Sequence, residues 1–374
     1  MTDARLLQTF LELVRIDAPP GSEAATARYC AIALRAAGCE VRFDDSMSTT
    51  GSDTGNLIAE LPGTAEGILA ISAHLDVVEP CRGIEPVVID GLVVSLGPTV
   101  LGADDRAGLA AAIEVVRRLA SGSAPHPTVR VLFTVKEEIG LLGAKSLQAH
   151  DVECDLCLVL DAEGTPGGIA IAAPTHYTFT AQFIGRASHA GVCPERGVSA
   201  ISIATDAIAR MELGRLDDGT TANIGSIHGG TATNVVAGRC DVTGECRSLD
   251  RARVEQVREE MDTTMRSAAR QAGGSVEIVW RQEYLGFEQS VDSLQVCLVS
   301  EACRIAGREP FTYRTGGGSD ANMLAEMGVT VVALACGMSG VHSTREQVKV
   351  ADLEALVRIV EEVSGLMASD WGSS

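Results

Sequence analysis

Four stretches of this chain run apolar and β-branched almost throughout and then stop at a carboxylate or an imidazole: GILAISAHLD (67–76), VRVLFTVKEE (129–138), LCLVLDAEG (156–164) and VTVVALACGMSGVHS (329–343). A strand with no polar alternation must be covered on both faces, which points to a parallel sheet between helices. LGADDRAGLAAAIEVVRRLA, between the first two runs, reads as a helix with Asp104 and Asp105 at its N-cap. Strand, helix, strand in that order predicts an α/β fold with a mainly parallel sheet flanked by helices. The carboxyl ends of parallel strands share one edge, where ligands bind. His74, Asp76, Asp104, Glu137, Glu138, Asp161 and His342 are therefore expected to converge there.

Two imidazoles among several carboxylates form a borderline-hard donor set, suited to Zn²⁺, with Co²⁺ or Mn²⁺ as alternatives. So many negative groups would repel one another or take up protons without a cation, and two divalent ions sharing one carboxylate resolve the repulsion. Consecutive strand residues face opposite ways, so Glu137 and Glu138 can serve one site only where the strand gives way to a turn, expected at Ile139–Gly140.

Composition narrows the class. The formal net charge of −20 argues against nucleic acid or an anionic membrane as partner. No run approaches a membrane span, and MTDARLLQTFLELVRID reads as an amphipathic helix rather than a signal peptide, which places the chain in the cytoplasm. Eleven irregularly spaced cysteines are poor material for a disulfide framework. Cys154 and Cys157 form one CxxC inside an apparent buried strand and are read as core packing.

Residues 176–286 change rhythm. HYTFTAQFIGR, TANIGSIHGG, VVAGRCDVTGECRS and SVEIVWRQEY read as strands, and GVSAISIATDAIARMEL and LDRARVEQVREEMDTTMRSAARQAG as helices. The order β-α-β-β-α-β predicts an inserted ferredoxin-like α+β domain between a first catalytic part, 1–175, and a second, 287–374.

Nine segments carry a resemblance: SAHLDVV (72–78), GADDRAG (102–108), KEEIGLLGA (136–144), LDAEG (160–164), GRASHAG (185–191), GGTATNVV (229–236), GECRS (244–248), GGGSDAN (316–322) and GVHSTRE (340–346). In this order they resemble the M20 metallopeptidases, nearest to peptidase T-like members, across essentially the whole chain. The resemblance implies a zinc-exopeptidase-like catalytic domain with the inserted domain as a lid that often makes a homodimer. It implies that His74 and His342 each bind one of two metal ions, that Asp104 bridges them, that Glu138 completes the His342 site and Asp161 the His74 site. Asp76 would take the imidazole N–H of His74, and Glu137 would be the general base. His189 would stabilise the oxyanion, in its own site or a neighbour's, and Asn234 and Arg247 would contact substrate, Arg247 as a fork for a carboxylate. Gly317, Gly318 and Ser319 could offer backbone N–H groups to a terminal carboxylate. Asp105 could replace Asp104, but is expected to cap the helix or pair with Arg106; Glu163 could replace Asp161, which is favoured. His126, His150, His176 and His228 are read as structural or surface residues.

The expected function is hydrolysis of amide bonds in short peptides by a metal pair, aminopeptidase- or tripeptidase-like. An N-acyl-amino-acid deacylase or desuccinylase would use the same centre, so the substrate is a small peptide or an N-acyl amino acid. A non-catalytic metal binder has no need of an unligated Glu137. A dinucleotide oxidoreductase is set aside because GGGSDAN lacks the GxGxxG spacing.

Overall fold

The structure is a computed structural model that describes residues 4–369. The chain divides into two compact units, one taking in the chain up to Ile171, Glu288–Arg314 and the chain from Ser319 onward, the other Ala172–Phe287 with Thr315–Gly318.

The first unit is built on a large sheet whose four central strands, Thr128–Thr134, Ile68–His74, Leu156–Ala162 and Val331–Ala335, are adjacent and parallel. These are the four apolar runs. Antiparallel strands continue the sheet beyond them: Leu57–Leu61 and Glu40–Phe43 on one side, Gly168–Ala173 on the other. The strand from 129 stops at Thr134, earlier than its apolar run suggests, and Lys136 turns the chain with φ 52°. The Lys136 N–H donates to Glu23 Oε1 and its ammonium to the Thr50 carbonyl, so the turn is held from outside the strand. Both Glu137 and Glu138 consequently lie beyond the strand, which frees them from alternation.

The helix Ala103–Ser121 lies close against this sheet because its inward positions are small. A Cβ on Gly108 would stand 2.4 Å from the Leu160 carbonyl oxygen, so only glycine permits the approach. Leu109, Ile113, Val115 and Val116 are buried beside it, each worth about 1.5–3 kcal/mol of transfer free energy. The amphipathic reading of the N-terminus corresponds to the helix Ala4–Val14, whose Leu6, Phe10, Leu13 and Val14 are buried. Arg5 on its outer face pairs with buried Glu114 of the long helix. No helix among the described residues is long and apolar enough to cross a membrane. The eleven cysteines are free; Cys157 is buried in its strand, whereas Cys154 precedes it.

Unnoticed in the sequence was a second, four-stranded sheet, with Gln347–Lys349 between Met338–Ser339 and Leu92–Ser95 and Pro86–Ile89 at the far edge. These strands are two to four residues long, too short to show a periodicity.

The second unit has the six expected elements: strands Thr175–Ile184, Thr220–Gly229, Arg239–Ser248 and Ser275–Tyr284, and helices Ala200–Ala209 and Arg251–Gln271. All neighbouring strands are antiparallel and the first lies between the third and fourth, the ferredoxin-like order. A short edge strand, Gly214–Asp217, is additional. Phe179, Phe183, Val254, Val257, Met261 and Met265 pack between sheet and helices.

Candidate metal centre

Within the first unit the strand ends bring their polar residues together. His74 closes its strand, and the nearest acceptor of its Nδ1 is the Asp76 main-chain carbonyl at 3.1 Å. That bond puts the ring proton on Nδ1 and turns the Nε2 lone pair toward Asp104 Oδ1 at 3.0 Å and Asp161 Oδ1 at 3.7 Å. Lone pairs facing at such distances need a positive group between them, a proton or a metal ion. The other oxygen of Asp104, Oδ2, lies 3.3 Å from His342 Nε2, which is also 3.0 Å from Glu138 Oε2. Asp104 therefore presents one oxygen to each imidazole, as a bridging carboxylate would. Ligand atoms of His74, Asp104 and Glu138 lie within 4.8 Å of one another, and so do those of His74, Asp105 and Asp161.

Asp105 is the weaker candidate of the two neighbours. Its Oδ1 accepts the Gly108 N–H at 3.0 Å and its Oδ2 the His74 N–H at 3.1 Å, so its lone pairs are engaged by main chain. It caps the regular part of the helix, since its side chain accepts the Gly108 N–H and both Asp104 and Asp105 have non-helical φ/ψ. It does not pair with Arg106, whose guanidinium goes to the Leu75 carbonyl and to Thr26. Glu163, weighed against Asp161, is exposed and accepts the Gly340 N–H at 2.8 Å, holding the loop that carries His342.

Asp76 lies beside His74 as expected, its Oδ1 3.5 Å from Nδ1 and its own carbonyl nearer at 3.1 Å, and its carboxylate also accepts the amides of Glu137 and Glu138 at 2.9 and 3.2 Å.

Electrostatics agree with a cation-binding centre. Burial, and then Asp104, push the Asp161 carboxyl up to about 8. Burial and Asp161 raise Glu137 well above the usual carboxylate range. Asp104 goes the other way: against the cost of its burial, hydrogen bonds from His342 and His74 hold it low. Glu138 Oε1 is buried with no hydrogen-bond partner, the condition of an acceptor shaped for something other than protein.

Two acidic residues in this region went unassigned in the sequence. Asp320 is buried, accepts from the Thr134 hydroxyl, and is pushed up to about 6 by burial. Glu346 accepts the Gly102 and Asp104 amides. Both fall inside quoted motifs, GGGSDAN and GVHSTRE, which was the available signal.

The remaining candidates belong largely to the second unit. His189 is exposed, and its Nδ1 accepts the Gly191 N–H at 3.1 Å, which leaves the proton on Nε2. Its loop is bridged to Val235, beside exposed Asn234. The fork of Arg247 is not open as expected: Nε and Nη2 donate to Glu245 at 3.2 and 2.9 Å, and Glu245 also pairs with buried His176. A carboxylate two positions away on the same face of a strand reaches the guanidinium first. Two of the three backbone donors are also spent, the Gly317 N–H on Thr315 Oγ1 and the Ser319 N–H on Asn322 Oδ1. Gly318 passes so close to Tyr284 that a Cβ would lie 2.2 Å from Cζ.

Residues 172–273 match the peptidase dimerisation domain, and residues 56–188 match peptidase family M28. YqjE of Bacillus subtilis is 39% identical over 369 residues, 97% of this chain and 100% of that protein. The aminopeptidase PepT of Bacillus cereus superposes with a TM-score of 0.88 at 39% identity, over 96% of this chain and 97% of the other. The chain belongs to the M20 family of peptidases. A tripeptidase of Staphylococcus aureus is similar to the same degree, with a TM-score of 0.93 and 36% identity over 98% of both chains. This M20 peptidase is thus a hydrolase acting on peptide bonds, with a mixed α/β fold and a family-typical inserted domain.

Proposed function

We propose that this M20 peptidase is a dinuclear metal aminopeptidase of short peptides, with His74 and Asp161 holding one ion, His342 and Glu138 the other, and Asp104 shared. The observation that carries this is Asp104, whose two oxygens face two separate imidazoles. The names of the similar PepT and tripeptidase structures support the substrate class. Such ions, Zn²⁺ or else Co²⁺ or Mn²⁺, polarise a scissile carbonyl and make water acidic enough to attack near neutral pH.

The chain's own residues supply the proton chemistry and the binding. Glu137 is 8% exposed and held by the Asp76 cradle; its carboxylate takes a proton from the attacking water and returns it to the leaving amine. His189, with Nε2–H available, donates to the developing oxyanion, and Asn234 contacts substrate. Arg247 keeps one N–H on Nη1 and one on Nη2 beyond those given to Glu245 and to the Tyr284 hydroxyl, enough for an end-on contact with a substrate carboxylate. Of the GGGS turn, only Gly318 keeps a place as a backbone contact, Ser319 being the cap of its helix. A homodimer through the inserted domain and a cytoplasmic location complete the reading.

The test is a panel of free tripeptides assayed beside N-acetyl and N-succinyl amino acids, with metal-to-protein ratios for wild type and Asp104→Ala. Hydrolysis of tripeptides with a free amino terminus, and loss of metal in the variant, are expected. Preference for the N-acyl substrates moves the protein to the deacylases, and an unchanged metal ratio removes Asp104 as the bridge.

A further inference from the structure

The loop that carries Asp104 is shaped by a residue that has no part in the roles above. Glu346 is 2% exposed, and both its oxygens are given to main-chain amides of that loop: Oε2 to Gly102 at 2.7 Å and Oε1 to Asp104 at 2.9 Å. The loop needs such a clamp. Gly102 has φ 71°, Asp104 and Asp105 depart from helical geometry, and amides at a helix start have no carbonyl four residues back. Glu346 comes from the other side of the centre, four positions after His342. Its own N–H donates to the Ser343 carbonyl at 3.1 Å, the Ser343 hydroxyl donates to the Gly340 carbonyl at 2.7 Å, and Gln347–Lys349 is then fixed by pairing with Leu92–Ser95. One carboxylate therefore ties the loop of Asp104 to the loop of His342. His74 and Asp161, by contrast, sit in paired parallel strands of the large sheet, and their placement does not pass through Glu346.

We propose that Glu346 is a positioning residue that sets the separation of Asp104 and His342, and so selectively supports the half of the centre formed by Asp104, Glu138 and His342. The inference rests on the two-ion reading above. Because the clamp uses both carboxylate oxygens as acceptors at once, the isosteric amide cannot replace it: Gln keeps one acceptor and sets an NH₂ against the other main-chain N–H.

Chelator-stripped wild type, Glu346→Gln and Glu346→Ala are titrated with Co²⁺ by calorimetry and visible absorbance, and the stripped proteins are melted by circular dichroism. Wild type is expected to take two ions. Because Asp104 faces both imidazoles, the variants are expected to weaken both ions unequally, the more weakly held one by at least about 10-fold more than the other, with Glu346→Gln retaining the wild-type fold. A second step of unchanged affinity overturns the proposal, and so does equal weakening of both steps, which is what a merely structural clamp would give. Should Glu346→Ala not fold, Glu346→Gln alone decides between these results. Wild type binding no second ion removes the two-ion reading itself, a failure separate from that of Glu346.

Discussion

The carboxylate of Asp76 accepts the main-chain N–H of Glu137 at 2.9 Å across 61 positions of sequence. With its second oxygen on the Glu138 amide, it fixes where both glutamates leave the strand. Asp76→Ala should leave one buried and one partly buried amide without this acceptor, at a cost of about 1–3 kcal/mol, and should lower kcat about 10- to 100-fold. Thermal melting of the metal-free protein and steady-state kinetics on a tripeptide check the two effects; unchanged kinetics would confine Asp76 to the fold.

Glu137→Gln separates proton transfer from metal binding. Turnover should drop at least about 100-fold while the metal content measured by elemental analysis stays near wild type. Full activity in this variant removes Glu137 as the base.

Metal binding should release protons. Hydrogen bonds to Asp104 and Glu138 push His342 up to about 10. His74 is raised too: burial works against it, but Asp104, Asp161 and Asp76 outweigh that. The His342 imidazole therefore holds a proton at pH 7 that a cation must displace, and the raised His74 works in the same direction, so apparent affinity falls as pH falls. Calorimetric titration in buffers of different ionisation enthalpy should read at least about one proton released per pair of ions; an enthalpy independent of buffer contradicts this.

Glu245 should contribute stability that acid removes. Hydrogen bonds from His176, and then Arg247, against the cost of burial, lower its pKa from the usual 4.5 to about 2. A depressed folded-state value gives stability that is fully present above 4.5 and lost as pH falls to about 2. With its side chain 29% exposed, about 2 kcal/mol is expected after screening. Denaturant melts of Glu245→Gln should show a deficit of that size at pH 7 that closes over this window.

Gly108→Ala tests the helix that positions the centre. The new Cβ meets the Leu160 carbonyl oxygen at 2.4 Å, a backbone atom that cannot swing aside. A loss of about 1–3 kcal/mol is expected, seen as a lower melting temperature of the metal-free protein. A variant as stable as wild type would mean that the helix stands further from the sheet.

How far the sequence could be read depended on where each residue's partners lie. His74, Asp104, Glu138, Asp161 and His342 were legible because each follows a run of apolar residues or opens a helix, and parallel topology carries such termini to one edge. The ferredoxin-like order was legible from periodicity alone. Glu346 and Asp76 gave no such signal for what they hold: their partners are main-chain amides, which every residue has, so no pattern of side chains marks them. Arg247 misled for the opposite reason. Its type suggested an open fork, and only the strand geometry shows Glu245 already lying against it.

The two imidazoles differ sharply in their access to water: His74 is sealed, with a side chain 2% exposed, while that of His342 is 55% exposed. On the reading proposed here, the centre would fill from the inside outward and empty in the reverse order. The ion that His342 helps to hold would exchange with the surrounding medium more readily than the one that His74 helps to hold.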